Sequence, residues 1–262
     1  MDSPKAYVLA MSGIPRNPNL IRALEKHMSV EIISGIDPRN SPESLEEITF
    51  PVTRLTLNRE LTLTERACSQ GHRDMILRAY EDCPSIALFL EDDVEIPYGF
   101  DFAPLISDLD TDQPILCLIS STARQILSKR AVSQRFDSYE KCLSLPTCAQ
   151  FYAVNWSGVQ RISETWKLRE CSDVADFPIW YWDLVDFLLP PKSMRVEIAL
   201  AKSLIGPERL KLKSSSPIYR IKKFSCYFWF SQMRNYCSLK SYIAFTFGRQ
   251  IASARNLFWV NL

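Results

Sequence analysis

Between Ser85 and Phe100 the sequence reads SIALFLEDDVEIPYGF. Five of its first six residues are apolar, and three carboxylates, Glu91, Asp92 and Asp93, follow without a break. Adjacent carboxylates raise each other's pKa and resist being charged together. They belong either to a solvated acidic turn or to a site that holds positive charge. In an extended segment residues i and i+2 project to one side, so Glu91 and Asp93 are expected to point together and Asp92 away. Parallel α/β sheets bind ligands at the carboxyl ends of their strands, where this triplet falls. Hard oxygen donors of this kind suit Mg²⁺ or Mn²⁺ better than zinc.

Three further groups of residues could do chemistry. Glu65, Cys68, Ser69 and His72 recur at three- to four-residue steps, which puts them along one face of a helix. His72 there is either a structural hydrogen-bonder or a ligand-positioning group. Asp173, Asp176, Asp183 and Asp186 are interspersed with Trp180, Tyr181 and Trp182. Aromatic faces beside carboxylates suit a sugar, giving its C–H face a platform and its hydroxyls an acceptor. The same run also reads as an amphipathic helix with core aromatics. The last group is the C-terminal segment, with its clusters RLKLK and YRIKKFSCYFWF.

That segment carries most of the charge asymmetry. The formal net charge of the 262 residues is +1, yet from Pro207 onward there are ten Lys/Arg against the single acid Glu208. The preceding 206 residues hold 21 basic and 29 acidic side chains. A basic, aromatic extension on an acidic body points to an anionic membrane surface before nucleic acid, since no nucleic-acid-binding signature accompanies it. A helical cap with core aromatics is the plainer reading. No run of eighteen apolar residues occurs, so no membrane span is expected. The eight cysteines include no CxxC pair and there are only two histidines, His27 and His72, which argues against a zinc site of the Cys/His kind. The opening MDSPKAYVLAMSGIPRNP lacks a basic stretch followed by a long apolar one, so reduced thiols and a cytosolic location are expected.

The elements that must position these residues follow from local pattern. KAYVLAM reads as a strand, LIRALEKHM as a helix and VEIISGID as a second strand, an opening that favours an α/β fold with a parallel sheet. Residues 38–60 are polar and turn-rich and read as a long loop. Thr62 and Glu65 have capping-box spacing at the head of a helix that Pro84 closes. SIALFL, PILCLI and AQFYAVN read as core strands, and Gly158–Trp166 as a short helix.

The order of these pieces resembles glycosyltransferase family 25, the bacterial lipooligosaccharide galactosyltransferases and their relatives. The resemblance is carried by LTLTERACSQGH, a helix, and IALFLEDDVEIPYGF: Leu61, Thr62, Glu65, Ala67, Cys68, His72, Leu90, Glu91, Asp92, Asp93 and Phe100 all match the central block, about 40 residues long. Outside the block it is weaker. The opening strand, loop and helix are similar, but Ala10 stands where Asn is usual and the Arg-rich loop is reduced to Arg16. VEIISGID resembles the second strand, ending at Ile36 and Asp37. AQFYAVNWSGVQRI is similar to a later strand and helix, with Gly158 in the usual place, and DVADFPIW to the segment carrying a downstream Asp, best matched by Asp176.

The resemblance implies a GT-A-type, Rossmann-like nucleotide-sugar-binding domain over 1–206; it does not reach 207–262, which composition alone reads as a C-terminal helical, aromatic and basic extension suited to a membrane surface. It implies an inverting hexosyltransferase, with UDP-galactose as donor and a lipopolysaccharide, lipooligosaccharide or other glycan as acceptor. Glu91 and Asp93 would hold Mn²⁺ or Mg²⁺ on the donor diphosphate. Arg16, Glu65, His72 and Asp92 would contact or position the nucleotide-sugar. Asp176, with Asp173 and Asp183 behind it, would be the base that deprotonates the acceptor. The enzyme would be cytoplasmic or peripheral on the inner membrane. The competing reading is a GT-A-like protein without activity that binds a membrane surface or a glycan.

Overall fold

The computed structural model describes residues 3–11, 13–15, 17–46, 61–120, 128–130, 136, 138–142, 150–165 and 185–196. Arg16, Asp173, Asp176, Asp183, the Trp180–Trp182 aromatics and the 207–262 extension lie outside them.

The first strand, β1 (Lys5–Met11), leads through a turn to helix α1 (Pro18–Glu25) and then to β2 (Ser29–Gly35), as the periodicity predicts. Asn17 caps α1, its Oδ1 accepting from the Leu20 amide, and Pro18 supplies the fixed φ that the first helical position favours. The region expected to be loop contains a five-residue helix, α2 (Pro42–Glu46). One apolar anchor, the fully buried Leu45, is too little to register as periodicity.

Helix α3 (Leu63–Asp82) begins with the anticipated capping box: Thr62 Oγ1 accepts from the Glu65 amide at 3.1 Å, and Glu65 Oε2 accepts from the Thr62 amide at 3.0 Å. It ends at Cys83, whose φ of 52° is left-handed. Strand β3 (Ile86–Glu91) follows, then α4 (Ala103–Leu109), β4 (Ile115–Leu118), the short strands β5 (Ser128–Arg130) and β6 (Glu140–Cys142), β7 (Phe151–Asn155), α5 (Trp156–Thr165) and β8 (Asp186–Leu189).

The strands form one eight-stranded sheet in the order β2-β1-β3-β7-β4-β8-β6-β5. The expected parallel pairing holds for β2-β1-β3 and for β4-β8. It does not hold for β7, which lies antiparallel between β3 and β4. The sheet is therefore mixed, within an α/β architecture compatible with a Rossmann-like fold.

Helices cover both faces. Leu20 and Leu24 of α1 and Leu105 and Leu109 of α4 pack with Ala6, Val8, Leu88 and Leu90 on one face. Met75, Ile76 and Ala79 of α3 and Val159 and Ile162 of α5 pack with Tyr7, Phe89, Tyr152 and Val154 on the other. Burial on both sides explains why β3 is continuously apolar from Ile86 to Leu90, each residue fully buried, instead of alternating.

One polar side chain ties the layers together. Asn155, 1% exposed, ends β7 where α5 begins. Its Oδ1 accepts from the amides of Ile115 and Gly158, and its Nδ2 donates to the carbonyls of Thr111 and Gln113. Gly158 is obligatory at this junction, because a Cβ there would stand 2.9 Å from the Ile115 carbonyl oxygen and 2.6 Å from a Val154 methyl. Asn155→Ala removes four hydrogen bonds and strands buried backbone groups, so a loss of about 3 kcal/mol is expected. Urea denaturation of the full chain measures it, and a loss below about 1 kcal/mol would remove Asn155 from this role.

Candidate functional site

The carboxyl ends of β1 and β3 meet at one edge of the sheet, where Leu9 of β1 pairs with Glu91 of β3. Strand β3 stops at Glu91, and the Val94 amide closes a turn on the Glu91 carbonyl at 3.2 Å. This turn changes the expected geometry of the triplet. Glu91, the last strand residue, follows Ala87 and Phe89 onto the face covered by α3. Asp93, beyond the strand, instead lines a cleft with Asn17, Asn19, Leu20 and Ala23 of α1 and its cap. Glu91 and Asp93 thus face opposite layers, against the expectation that they point together, because period-two alternation ends with the ladder. Asp92 lies between them, 2% exposed, its amide donating to the Leu9 carbonyl at 3.1 Å.

On the α3 side Glu91 meets two helical side chains. Glu91 Oε1 is 3.5 Å from His72 Nε2 and 3.5 Å from the Cys68 thiol. One ligand atom from each of Cys68, His72 and Glu91 lies within 4.8 Å of the others. His72 is fully buried, and its Nδ1 is 2.9 Å from the hydroxyl of Tyr152 on β7. The two rings stack with centroids 5.5 Å apart. Burial drives the Tyr152 phenol pKa well above its ordinary value, and the nearby Cys68 and Glu91 add to this. Helical spacing already placed Cys68 and His72 on one face. Tyr152 was missed, because only the pairing of β3 with β7, in register Phe89–Tyr152, brings it beneath the helix.

Helix α3 packs on Leu9 at Gly71, where a Cβ would stand 2.5 Å from both Leu9 methyls and the Leu9 side chain would have to move to admit it. Glu65, expected near the donor, is 5% exposed and places one carboxylate oxygen in the capping box. Asp37, after β2, is held by Arg39, whose Nε and Nη2 donate to its two oxygens at 2.9 and 2.7 Å. Arg39 thereby lowers the Asp37 pKa to about 2. Asp186, grouped by sequence with Asp173, Asp176 and Asp183, starts β8 and accepts a hydrogen bond from Gln113.

On the α1 side the cleft has a volume of about 500 Å³, within the range of small-molecule sites. Asp93 and Glu95 supply its carboxylates, Asn17 and Asn19 its amides. Asn17 Nδ2 donates to the Val94 carbonyl at 3.2 Å, tying the head of α1 to the turn after β3. The loop beyond, with Gly99 at a φ of 77°, leaves Tyr98 fully exposed.

Comparison with known proteins finds no family model that matches the chain and no curated relative. No helix among the described residues is long and apolar enough to cross a membrane.

Two carboxylates on α3 respond to pH in opposite directions. Burial raises the Asp74 pKa to about 6, against the opposing effects of Arg73 and Gln70. Burial also disfavours charge on Asp82, but hydrogen bonds from Lys5 (2.6 Å) and Tyr7 (2.9 Å) outweigh it and hold its pKa below the ordinary value. A raised carboxyl pKa favours the fold below the unfolded value of about 4 and loses that contribution as pH rises through about 6. A lowered one favours the fold above about 4 and loses its contribution as pH falls through the folded value. Asp74→Asn is therefore expected to stabilise the chain at neutral pH, and Asp82→Asn to destabilise it. Both effects should shrink in acid, as read from denaturation midpoints across pH; an Asp74→Asn effect that is flat with pH would contradict the assignment.

Proposed function

We propose that the chain is a glycosyltransferase of GT-A type that moves a hexose from a nucleotide-diphosphate sugar, UDP-galactose in first place, to a glycan or lipid-linked glycan acceptor. The observation that carries this reading is the cleft at the carboxyl edge of β1 and β3, with Asp93 and Glu95 in its wall. It lies where parallel α/β strands receive ligands. Its carboxylates also fall within the block of residues, Leu61 to Phe100, that resembles family 25.

The residues in the cleft fit Mg²⁺ or Mn²⁺ in kind, since carboxylate and amide oxygens are hard donors. Asp93 and Glu95 would hold the ion, and Glu91, turned to the other face, would not. When bound, the ion supplies Lewis acidity for the charge that develops on a departing diphosphate. The Asn19 amide would hydrogen-bond the donor, while Asn17 stays engaged in the α1 cap and on the Val94 carbonyl. An inverting transfer also requires a carboxylate to take the acceptor hydroxyl's proton as that oxygen attacks the anomeric carbon. Asp176 is the first candidate, then Asp173 and Asp183. The basic extension from Pro207 would hold the enzyme on the cytoplasmic face of a membrane, where lipid-linked acceptors are presented.

Calorimetry with a panel of UDP-sugars, with and without Mn²⁺, tests the reading. One UDP-hexose is expected to bind in a metal-dependent manner, with affinity falling at least about tenfold in Asp93→Asn, a loss of about 1.4 kcal/mol. Metal-independent binding, or binding of no UDP-sugar, would overturn it.

A further inference from the structure

Cys68, His72 and Glu91 take no part in the cleft that Asp93 lines, yet they converge. Cys68 and His72 are four residues apart on α3, so both project from the same face on successive turns. Glu91 reaches them from the end of β3. From these positions we propose a second, separate site: a binding site for a borderline-soft divalent transition metal, Zn²⁺ foremost, formed by Cys68 Sγ, His72 Nε2 and a Glu91 carboxylate oxygen.

The distances support it. Zinc bonds to thiolate, imidazole and carboxylate are about 2.3, 2.0 and 2.1 Å, so ligand atoms around a tetrahedral ion stand about 3.3–3.6 Å apart. The Cys68–Glu91 and His72–Glu91 edges are each 3.5 Å, and the remaining Cys68–His72 edge is no longer than 4.8 Å. Two edges of the tetrahedron are formed before any ion arrives.

The donor set decides the kind of ion. One sulfur, one imidazole nitrogen and one carboxylate oxygen match zinc or cobalt, whereas Mg²⁺ and Mn²⁺ favour oxygen alone. Three protein ligands leave the fourth position to water or another ligand.

Tyr152 completes the arrangement. Its hydroxyl lies 2.9 Å from His72 Nδ1. If Nδ1–H donates to the phenol oxygen, the Nε2 lone pair is directed at Glu91 and Cys68. A hydrogen-bond partner on the far nitrogen is what fixes tautomer and ring orientation in metal-binding histidines. Binding forms bonds from the ion to sulfur, nitrogen and oxygen, and the thiol proton passes to solvent. With no ion bound, the Cys68 thiol donates to Glu91 Oε1 between α3 and β3.

Titration of the full chain with Co²⁺ in a reducing, thiol-free buffer tests the site, because only a thiolate ligand gives the ultraviolet sulfur-to-cobalt charge-transfer band. One equivalent is expected to bind with this band. The band should vanish in Cys68→Ser while circular dichroism remains native, and Tyr152→Phe should weaken binding about 10- to 100-fold. The unmodified chain gives a second readout: Zn²⁺ should slow alkylation of Cys68 at least about tenfold, as followed by peptide mass spectrometry. A band that survives Cys68→Ser, no band at all, or alkylation of Cys68 unchanged by Zn²⁺ would overturn the proposal. Each outcome is independent of whether a UDP-sugar binds.

Discussion

The close approach of α3 to the sheet is the constraint on which the rest depends. At Gly71 the helix meets the Leu9 side chain so closely that a Cβ would displace it, and the neighbouring turns carry Cys68 and His72 down to the end of β3. The helix is anchored at both ends by polar contacts. Its head is closed by the Thr62–Glu65 box, and its tail is held by Asp82, which accepts from Lys5 and Tyr7 of β1. Arg78 extends the lower contact to Glu31 of β2 at 2.7 Å, so three elements share one charge network at the end of the sheet remote from the carboxylates. A helix fixed at both ends has little freedom to slide, and that rigidity lets buried polar groups such as His72 keep their partners.

The division of the acidic triplet follows from the same edge. Glu91 belongs to the ladder and obeys its alternation, whereas Asp93 belongs to the turn and follows the chain toward α1. Three consecutive residues therefore serve three environments: the underside of α3, the interior and an open cleft. This also answers how the chain tolerates adjacent carboxylates. They diverge, so the repulsion expected of a shared site is relieved by geometry as well as by any bound cation.

Features set by local chemistry were legible in the sequence. The capping box, the apolar run of β3, the helical face of Cys68 and His72 and the strand AQFYAVN depend on neighbours within a few residues, and each appears where the pattern places it. What pattern could not show depends on distant pairing. The antiparallel insertion of β7 links residues some sixty positions apart in the chain, and only that pairing gives His72 its tyrosine. The direction of Asp93 depends on where β3 stops, a boundary that apolar run length does not define. Asp186 begins strand β8, a boundary that the mixed apolar and acidic composition around it does not mark.

The place of β7 has a consequence for how the chain is made. During synthesis β3 emerges with one edge satisfied by β1 and the other open, and that open edge can close only after residue 155 has left the ribosome. Until then a fully apolar strand presents unpaired backbone groups, the arrangement most prone to join another chain. Strand β4 is in the same position, since it too meets β7 along one edge. The sheet around β3 and β4 is thus closed by the last of the three strands to be made, and their inner edges stay unpaired from Ile86 until Asn155 is in place.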